Sequence, residues 1–322
     1  MEGAVTAQAM TDYATLIDAE TWAYIERTNS YYPPDTIDYT IEQQRAIYDR
    51  MCREFHAGYP VGVTSETTVI RTSGHDIRIR IYGSAQRDDT AVVFYFHGGG
   101  FILGSLDSHD DVCAELCAKT GYEVVSVDYR LAPEHRHPAA FDDALAAYRW
   151  QLARDARQVV LAGDSAGGNL AAAVSHAARR LERQPVGQVL IYPGLGGDRT
   201  KGSYVTHAEA PQLTLRDLEF YRHVRGGDTA SGPDPTLSPL DDTDFSGLPP
   251  TVVVTAECDP LSSDGETYRD AILAAGGKAF WLREQGLVHG YLRARHSVDR
   301  ARQSFSRIAE AIAALGRGGW MW

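Results

Sequence analysis

Ser165 stands in Gly163-Asp164-Ser165-Ala166-Gly167, directly after a strand-like run at 158–162 and directly before a helical run. A serine hydroxyl is a weak nucleophile at neutral pH, and it becomes effective when a sharp strand-to-helix turn exposes it beside a base. The glycines suit such a turn, because side chains there would collide with a strained backbone. The helix that follows offers its N-terminal N–H groups to developing negative charge. Taken alone, the pentapeptide also fits a glycine-rich turn with an incidental serine.

A second element, His97-Gly98-Gly99-Gly100, ends the apolar run Val92-Val93-Phe94-Tyr95-Phe96. Three glycines let a loop come close to a ligand and aim unpaired N–H groups at it. Such a loop can stabilise the oxyanion of acyl transfer, with Gly98, Gly99 and Ala166 as the candidate donors. A phosphate loop would need a Lys-Ser/Thr pair, and a dinucleotide site a different glycine spacing; neither is present. His97 is read as an orienting residue of the loop.

A nucleophilic serine needs a base near neutral pKa, and histidine is the natural one. Of 11 histidines, His289 in Leu287-Val288-His289-Gly290-Tyr291 is placed best, on a loop after the last strand signal. The acid is expected after a strand as well. Glu257, Asp259, Asp264 and Glu266 all follow the run at 251–255. Asp259 is preferred, because Pro260 biases it towards an extended backbone that presents its carboxylate at the sheet edge. Asp264, before Gly265, reads as a carboxylate that caps N–H groups at a turn or helix start. The order Ser165, Asp259, His289 is one of the orders in which such triads occur.

The elements that must hold these residues alternate. Runs at 66–71 and 75–82 read as a hairpin around Ser73-Gly74. Short β-branched runs at 91–96, 123–127, 158–162, 188–192, 251–255 and 279–282 suit strands buried on both faces. Helical segments at 110–119, 139–153, 169–182 and 299–315 separate or follow them, which implies an α/β architecture with a mostly parallel sheet between helices. Residues 1–60 are polar and spotted with aromatics, and 194–225 include a helical stretch at 214–224; together they are expected to cap the sheet. The catalytic domain would comprise 61–193 and 226–322, with a loop crowded with Gly, Asp and Pro up to Pro250.

In a chain of 322 residues, 43 acidic groups against 31 basic ones give a net charge of -12, which argues against nucleic acid and anionic membranes as partners. No run approaches the roughly 18 apolar residues of a membrane span, and the N-terminus lacks the cationic start and apolar run of a secretory signal. Cys52, Cys113, Cys117 and Cys258 are too scattered for a disulfide framework, and Cys113 and Cys117, four apart, fall two ligands short of a metal site. Buried free thiols, no metal, no cofactor and a cytoplasmic location are the expectations.

The combined motifs resemble the hormone-sensitive-lipase family of bacterial carboxylesterases. The likeness rests on His97–Gly100, Asp128-Tyr129-Arg130-Leu131-Ala132-Pro133-Glu134, Gly163–Gly168, Asp259-Pro260-Leu261 and His289-Gly290, and spans roughly 91–291. Tyr291 stands where the family prefers Phe, and the run Ser262-Ser263-Asp264-Gly265 also departs from its pattern. The resemblance implies an α/β-hydrolase fold with an eight-stranded sheet, a helical cap built partly from the N-terminus, and short-to-medium acyl esters as small-molecule substrates. Members often pair through an edge strand, so a homodimer is expected. Asp128, Tyr129, Arg130 and Glu134 are expected to form a buried polar network bracing the elbow and the glycine loop. Two alternatives stay open: the same triad acting on amides or thioesters, and a non-catalytic small-molecule receptor, against which the retained His289 argues.

Overall fold

Short runs of β-branched and aromatic residues form the strands of one eight-stranded sheet: β1 Val63–Arg71, β2 Asp76–Ser84, β3 Ala91–Phe96, β4 Glu123–Asp128, β5 Gln158–Asp164, β6 Gly187–Ile191, β7 Thr251–Cys258 and β8 Ala279–Val288. The structure is a computed structural model that describes residues 11–226 and 232–322. Residues 1–10, with the polar N-terminus, and 227–231 of the Gly/Asp/Pro loop lie outside the described residues. Strand order is β1-β2-β4-β3-β5-β6-β7-β8. β2 runs antiparallel to β1 and β4, and every pair from β4 onward is parallel.

Alternate residues of the central strands face two separate cores, which is why those strands read as continuously apolar. Val93, Tyr95, Val124, Val160 and Ile191 pack beneath α4 (Asp110–Thr120) and α10 (Asp299–Gly316). Phe94, Phe96, Val125, Leu161 and Leu190 pack beneath α5 (Ala139–Arg154), α6 (Ala166–Ala178) and α9 (Ser262–Ala274). In α10 the buried Phe305, Ile308, Ile312 and Leu315 recur at helical spacing, so one stripe seals the sheet. Cys113 and Cys117 lie on the buried face of α4 as free thiols, and burial pushes the Cys117 thiol up to about 12.

The other helices are α1 Tyr13–Leu16, α2 Ala19–Tyr31, α3 Ile41–Phe55, α7 Ser203–Thr206 and α8 Leu215–Gly226. A capping box starts α3, with the Gln43 amide N–H donating to the Thr40 side chain and the Thr40 N–H to the Gln43 side chain. Strand register sets the site. Phe96 at the end of β3 pairs with Gly163 of β5, and Asp164 pairs with Ile191 of β6. Across a register shift Cys258 pairs with Val288. Residues 97–100, 165, 259 and 289 therefore all leave the sheet at its carboxyl edge, where parallel α/β sheets form their clefts. Among the described residues no helix is long and apolar enough to cross a membrane.

Candidate active site

The turn from β5 into α6 is tight enough to force Ser165 to φ 54° and ψ -116°, a region that residues with a Cβ rarely occupy. It is held there by its own N–H, which donates to Ile191 O at 2.8 Å, and by the close packing of α6 on β3. A Cβ on Gly167 would lie 1.8 Å from Phe96 O, so only glycine permits that approach. This is strain observed at a site rather than inferred from one.

Three side chains from separate elements meet here. His289 Nε2 lies 2.9 Å from Ser165 Oγ, and His289 Nδ1 lies 2.7 Å from Asp259 Oδ2. Asp259 is fully buried, and its other oxygen accepts the Leu261 N–H at 2.9 Å. The Tyr192 ring packs 4.8 Å from the imidazole and limits its rotation. The competing carboxylates are engaged elsewhere. Glu257 accepts the Gly286 N–H and Glu266 pairs with Arg269. Asp264 does not cap its own helix: from the first turn of α9 it accepts the Leu195, Gly196 and Gly197 N–H groups and the Tyr204 hydroxyl.

The glycine loop needs one correction. The Gly98 N–H donates to Asp164 Oδ1 at 3.0 Å, so it is consumed within the protein and unavailable to an oxyanion. Gly99, Gly100 and Ala166, by contrast, line the cavity around Ser165. Gly99 has φ 123°, and a Cβ there would strike Leu103 O at 2.3 Å. Asp164 is the buried anchor of this arrangement: Oδ1 also accepts the Tyr95 hydroxyl at 2.8 Å, and Oδ2 lies 3.2 Å from His109 Nε2. Burial alone would raise the Asp164 pKa, but the His109 imidazole, the Tyr95 hydroxyl and Arg293 outweigh it and hold the carboxyl well below its usual range. His97 stacks on Tyr129 with ring centroids 4.3 Å apart, and its Nδ1–H donates to Gly98 O at 2.8 Å. Burial, with His109 beside it, pushes the His97 pKa down to about 4, so at neutral pH it is an uncharged prop for the loop.

The 128–134 segment does not form a single network. Only Tyr129 braces the glycine loop, its hydroxyl donating to His97 O at 2.6 Å. Arg130 forks onto Asp143, and Asp128 faces Arg78. Glu134 is mostly exposed and takes a bidentate pair from Arg45 of α3, at 2.8 and 2.7 Å. The same guanidinium donates to Ile102 O and Ala132 O, and so ties α3 to the loop that follows the glycines.

A cavity of about 230 Å³ opens above Ser165. Tyr24 and Thr28 of α2, Tyr48 and Met51 of α3, and Leu218 and Tyr221 of α8 line it. Tyr24 Oη donates to Gly290 O at 3.0 Å, which links α2 to the loop bearing His289. Arg293 donates to Tyr48 Oη at 2.7 Å and to Ser108 O at 3.0 Å. Sequence reasoning named Gly100 in the loop but not among the donors, and it missed His109 and Arg293, whose parts depend on contacts with distant elements. An exposed serine, an imidazole held by a buried carboxylate and free N–H groups at a helix start form a set suited to acyl transfer.

Known proteins resemble this chain in sequence and in fold. A profile of the family described as alpha/beta hydrolase fold matches residues 93–293. Carboxylesterase NlhH of Mycobacterium tuberculosis is 40% identical over 265 residues, covering 77% of this chain and 81% of its own length. Ethyl acetate hydrolase of Pseudomonas putida is 34% identical over 259 residues, covering 77% of this chain and 81% of its own. The solved hyperthermophilic esterase of the archaeon Pyrobaculum calidifontis superposes with a TM-score of 0.85 at 32% identity, covering 93% of this chain and 99% of the other. With an eight-stranded, mostly parallel sheet and a serine at the strained turn after its fifth strand, the chain belongs to the hormone-sensitive-lipase family of carboxylesterases within the α/β-hydrolase superfamily.

Proposed function

We propose that this carboxylesterase cleaves short-to-medium acyl esters by a two-step acyl transfer, with Ser165 as nucleophile, His289 as base and then acid, and Asp259 as the residue that orients the imidazole. The observation that carries this reading is a single imidazole with Ser165 Oγ at 2.9 Å on one nitrogen and Asp259 Oδ2 at 2.7 Å on the other. Asp259 fixes the tautomer with the proton on Nδ1, which leaves Nε2 free to take the serine proton. Ser165 Oγ bonds to the ester carbonyl carbon while His289 accepts its proton. The carbonyl oxygen becomes an oxyanion facing the N–H groups of Gly99, Gly100 and Ala166. The carbon–alkoxy bond then breaks, and the alcohol leaves with the proton from His289. Water repeats the sequence on the acyl-enzyme and releases the carboxylic acid and free Ser165.

The helices α2, α3 and α8 act as the cap and bound the acyl chain, in keeping with a cavity of about 230 Å³. The test is a panel of para-nitrophenyl esters of increasing acyl length, set against matched amides and thioesters, with Ser165→Ala as control. Hydrolysis of the shorter esters, lost in the variant, is the expected result. A preference for amides or thioesters, or activity that survives Ser165→Ala, overturns the reading.

A further inference from the structure

The cavity wall is far more cationic than the protein around it. The chain carries a net charge of -12, yet the described lining of the cavity contains Arg199, Arg222, Arg225 and Arg293 against one carboxylate, Asp164. Asp164 favours the charged form of Arg293, and among the described residues the other three arginines make no ion pair within 4.0 Å. Arg222 is exposed and Arg199 half-buried, and among the described residues neither has an acidic partner within 4.0 Å. Arg225 is buried and likewise lacks a carboxylate. Its guanidinium lies 3.4 Å over the Phe101 ring and, among the described residues, donates only to neutral oxygens, Leu237 O and Asn169 Oδ1. Asp234, the acidic group that acts on it, accepts its own bonds from His137 and Thr236.

The placement follows helical spacing. Leu218, Tyr221, Arg222 and Arg225 fall on one stripe of α8, so the helix turns both arginines to the same side as the apolar residues that line the cavity. Arg199, from the loop after β6, lines the cavity along with them. A buried cation without a counter-ion is costly, and a low-dielectric cleft lined by one sign of charge concentrates ligands of the other sign.

Resting on the esterase reading above, we propose that the substrate is an ester with a second, anionic group, a carboxylate, which Arg199 and Arg222 hold at the cavity rim in the field of Arg225. A planar guanidinium matches a carboxylate through paired N–H donors, so such a site favours a carboxylate over its neutral ester.

The experiment uses two matched pairs. One places the anion on the acyl side, para-nitrophenyl hydrogen glutarate against para-nitrophenyl methyl glutarate. The other places it on the alcohol side, para-acetoxybenzoate against its methyl ester. The expected result is a kcat/KM at least about tenfold higher for the anion in one pair, carried mainly by KM and shrinking as salt is raised to about 0.5 M. In the double variant Arg199→Gln/Arg222→Gln that ratio should fall towards one. Equal or better turnover of the neutral ester in both pairs overturns the proposal, as does a ratio unchanged by the double variant. If none of the four is cleaved and Ser165 also fails to react with a fluorophosphonate, the esterase reading itself falls and this inference with it.

Discussion

Replacing Asp164 separates two jobs that one carboxylate does. Asp164→Asn preserves shape and leaves an Oδ1 that still accepts from Tyr95 and from the Gly98 N–H, at 2.8 and 3.0 Å. It removes the charge that faces His109 and Arg293 in a site where Asp164 is 4% exposed. Breaking one side of a buried charged cluster costs about 3–5 kcal/mol, since the remaining cation stays desolvated. With an unfolding entropy of about 2.1 cal/mol/K per residue over 322 residues, a loss of about 4 kcal/mol lowers Tm by about 6 °C. Because Oδ1 keeps the glycine loop in place, kcat should fall by less than about tenfold. Asp164→Ala removes the acceptor as well, releases the Gly98 N–H that pins the loop and lets Gly99 and Gly100 shift, which should cost about 10²–10³ in kcat, the usual cost of losing one oxyanion donor. Calorimetry and para-nitrophenyl acetate kinetics on both variants check this. Equal kcat losses in the two variants, or an Asn variant that melts with the wild type, would show that the charge and the loop are not held as described.

Asp259→Asn should lower kcat by about 10⁴ with little change in KM, because the amide favours the wrong imidazole tautomer; steady-state kinetics with a short ester measure it. Asp264 is expected to shape stability rather than chemistry. Burial raises its pKa to about 6, against the three N–H groups that favour its charge. The native state therefore holds a proton that the unfolded state has released between about pH 4 and 6, and stability falls by about 2–3 kcal/mol as pH rises through that window. In Asp264→Asn, urea midpoints should lose this part of their pH slope, while kcat drops less than about tenfold; a slope equal to the wild type would contradict the burial argument. Gly167→Ala should fail to give soluble enzyme, because its Cβ would lie 1.8 Å from Phe96 O, and the soluble fraction after expression reads this directly.

The sheet was legible because burial on both faces leaves continuous apolar, β-branched runs, and the hairpin at Ser73-Gly74 joins β1 to β2 where expected. Helix α6 begins at Ala166 rather than near Asn169, and ends at Ala178. Gly167 and Gly168 lower helix propensity, but the approach to β3 requires a residue without a side chain, and packing overrides propensity there. Helix α9 was not marked as a helix, since Ser262-Ser263-Asp264-Gly265 reads as turn chemistry; Gly265 sits against Thr255 and Trp281, where a Cβ would clash. Gly98 was chosen as a donor because local sequence cannot show that a carboxylate 66 residues away has taken its N–H. Glu134 misled for a related reason: its partner Arg45 lies 89 residues earlier, on a helix with no visible link to it.

The bond between Tyr24 and Gly290 joins residues 266 positions apart, and it has a consequence for the order in which the protein is made. During synthesis α2 and α3 emerge before the sheet, whereas Gly290 and Arg293, which hold Tyr24 of α2 and Tyr48 of α3, emerge after its last strand. Arg45 can tie α3 to Ile102, Ala132 and Glu134 earlier, but α2 lacks its bond to Gly290 until the chain has passed the last strand. Ser165 is also made long before His289. A nascent chain that has not reached His289 therefore carries Ser165 without its imidazole and α2 without its hold on Gly290, so on the proposed mechanism ester cleavage waits for the segment bearing both.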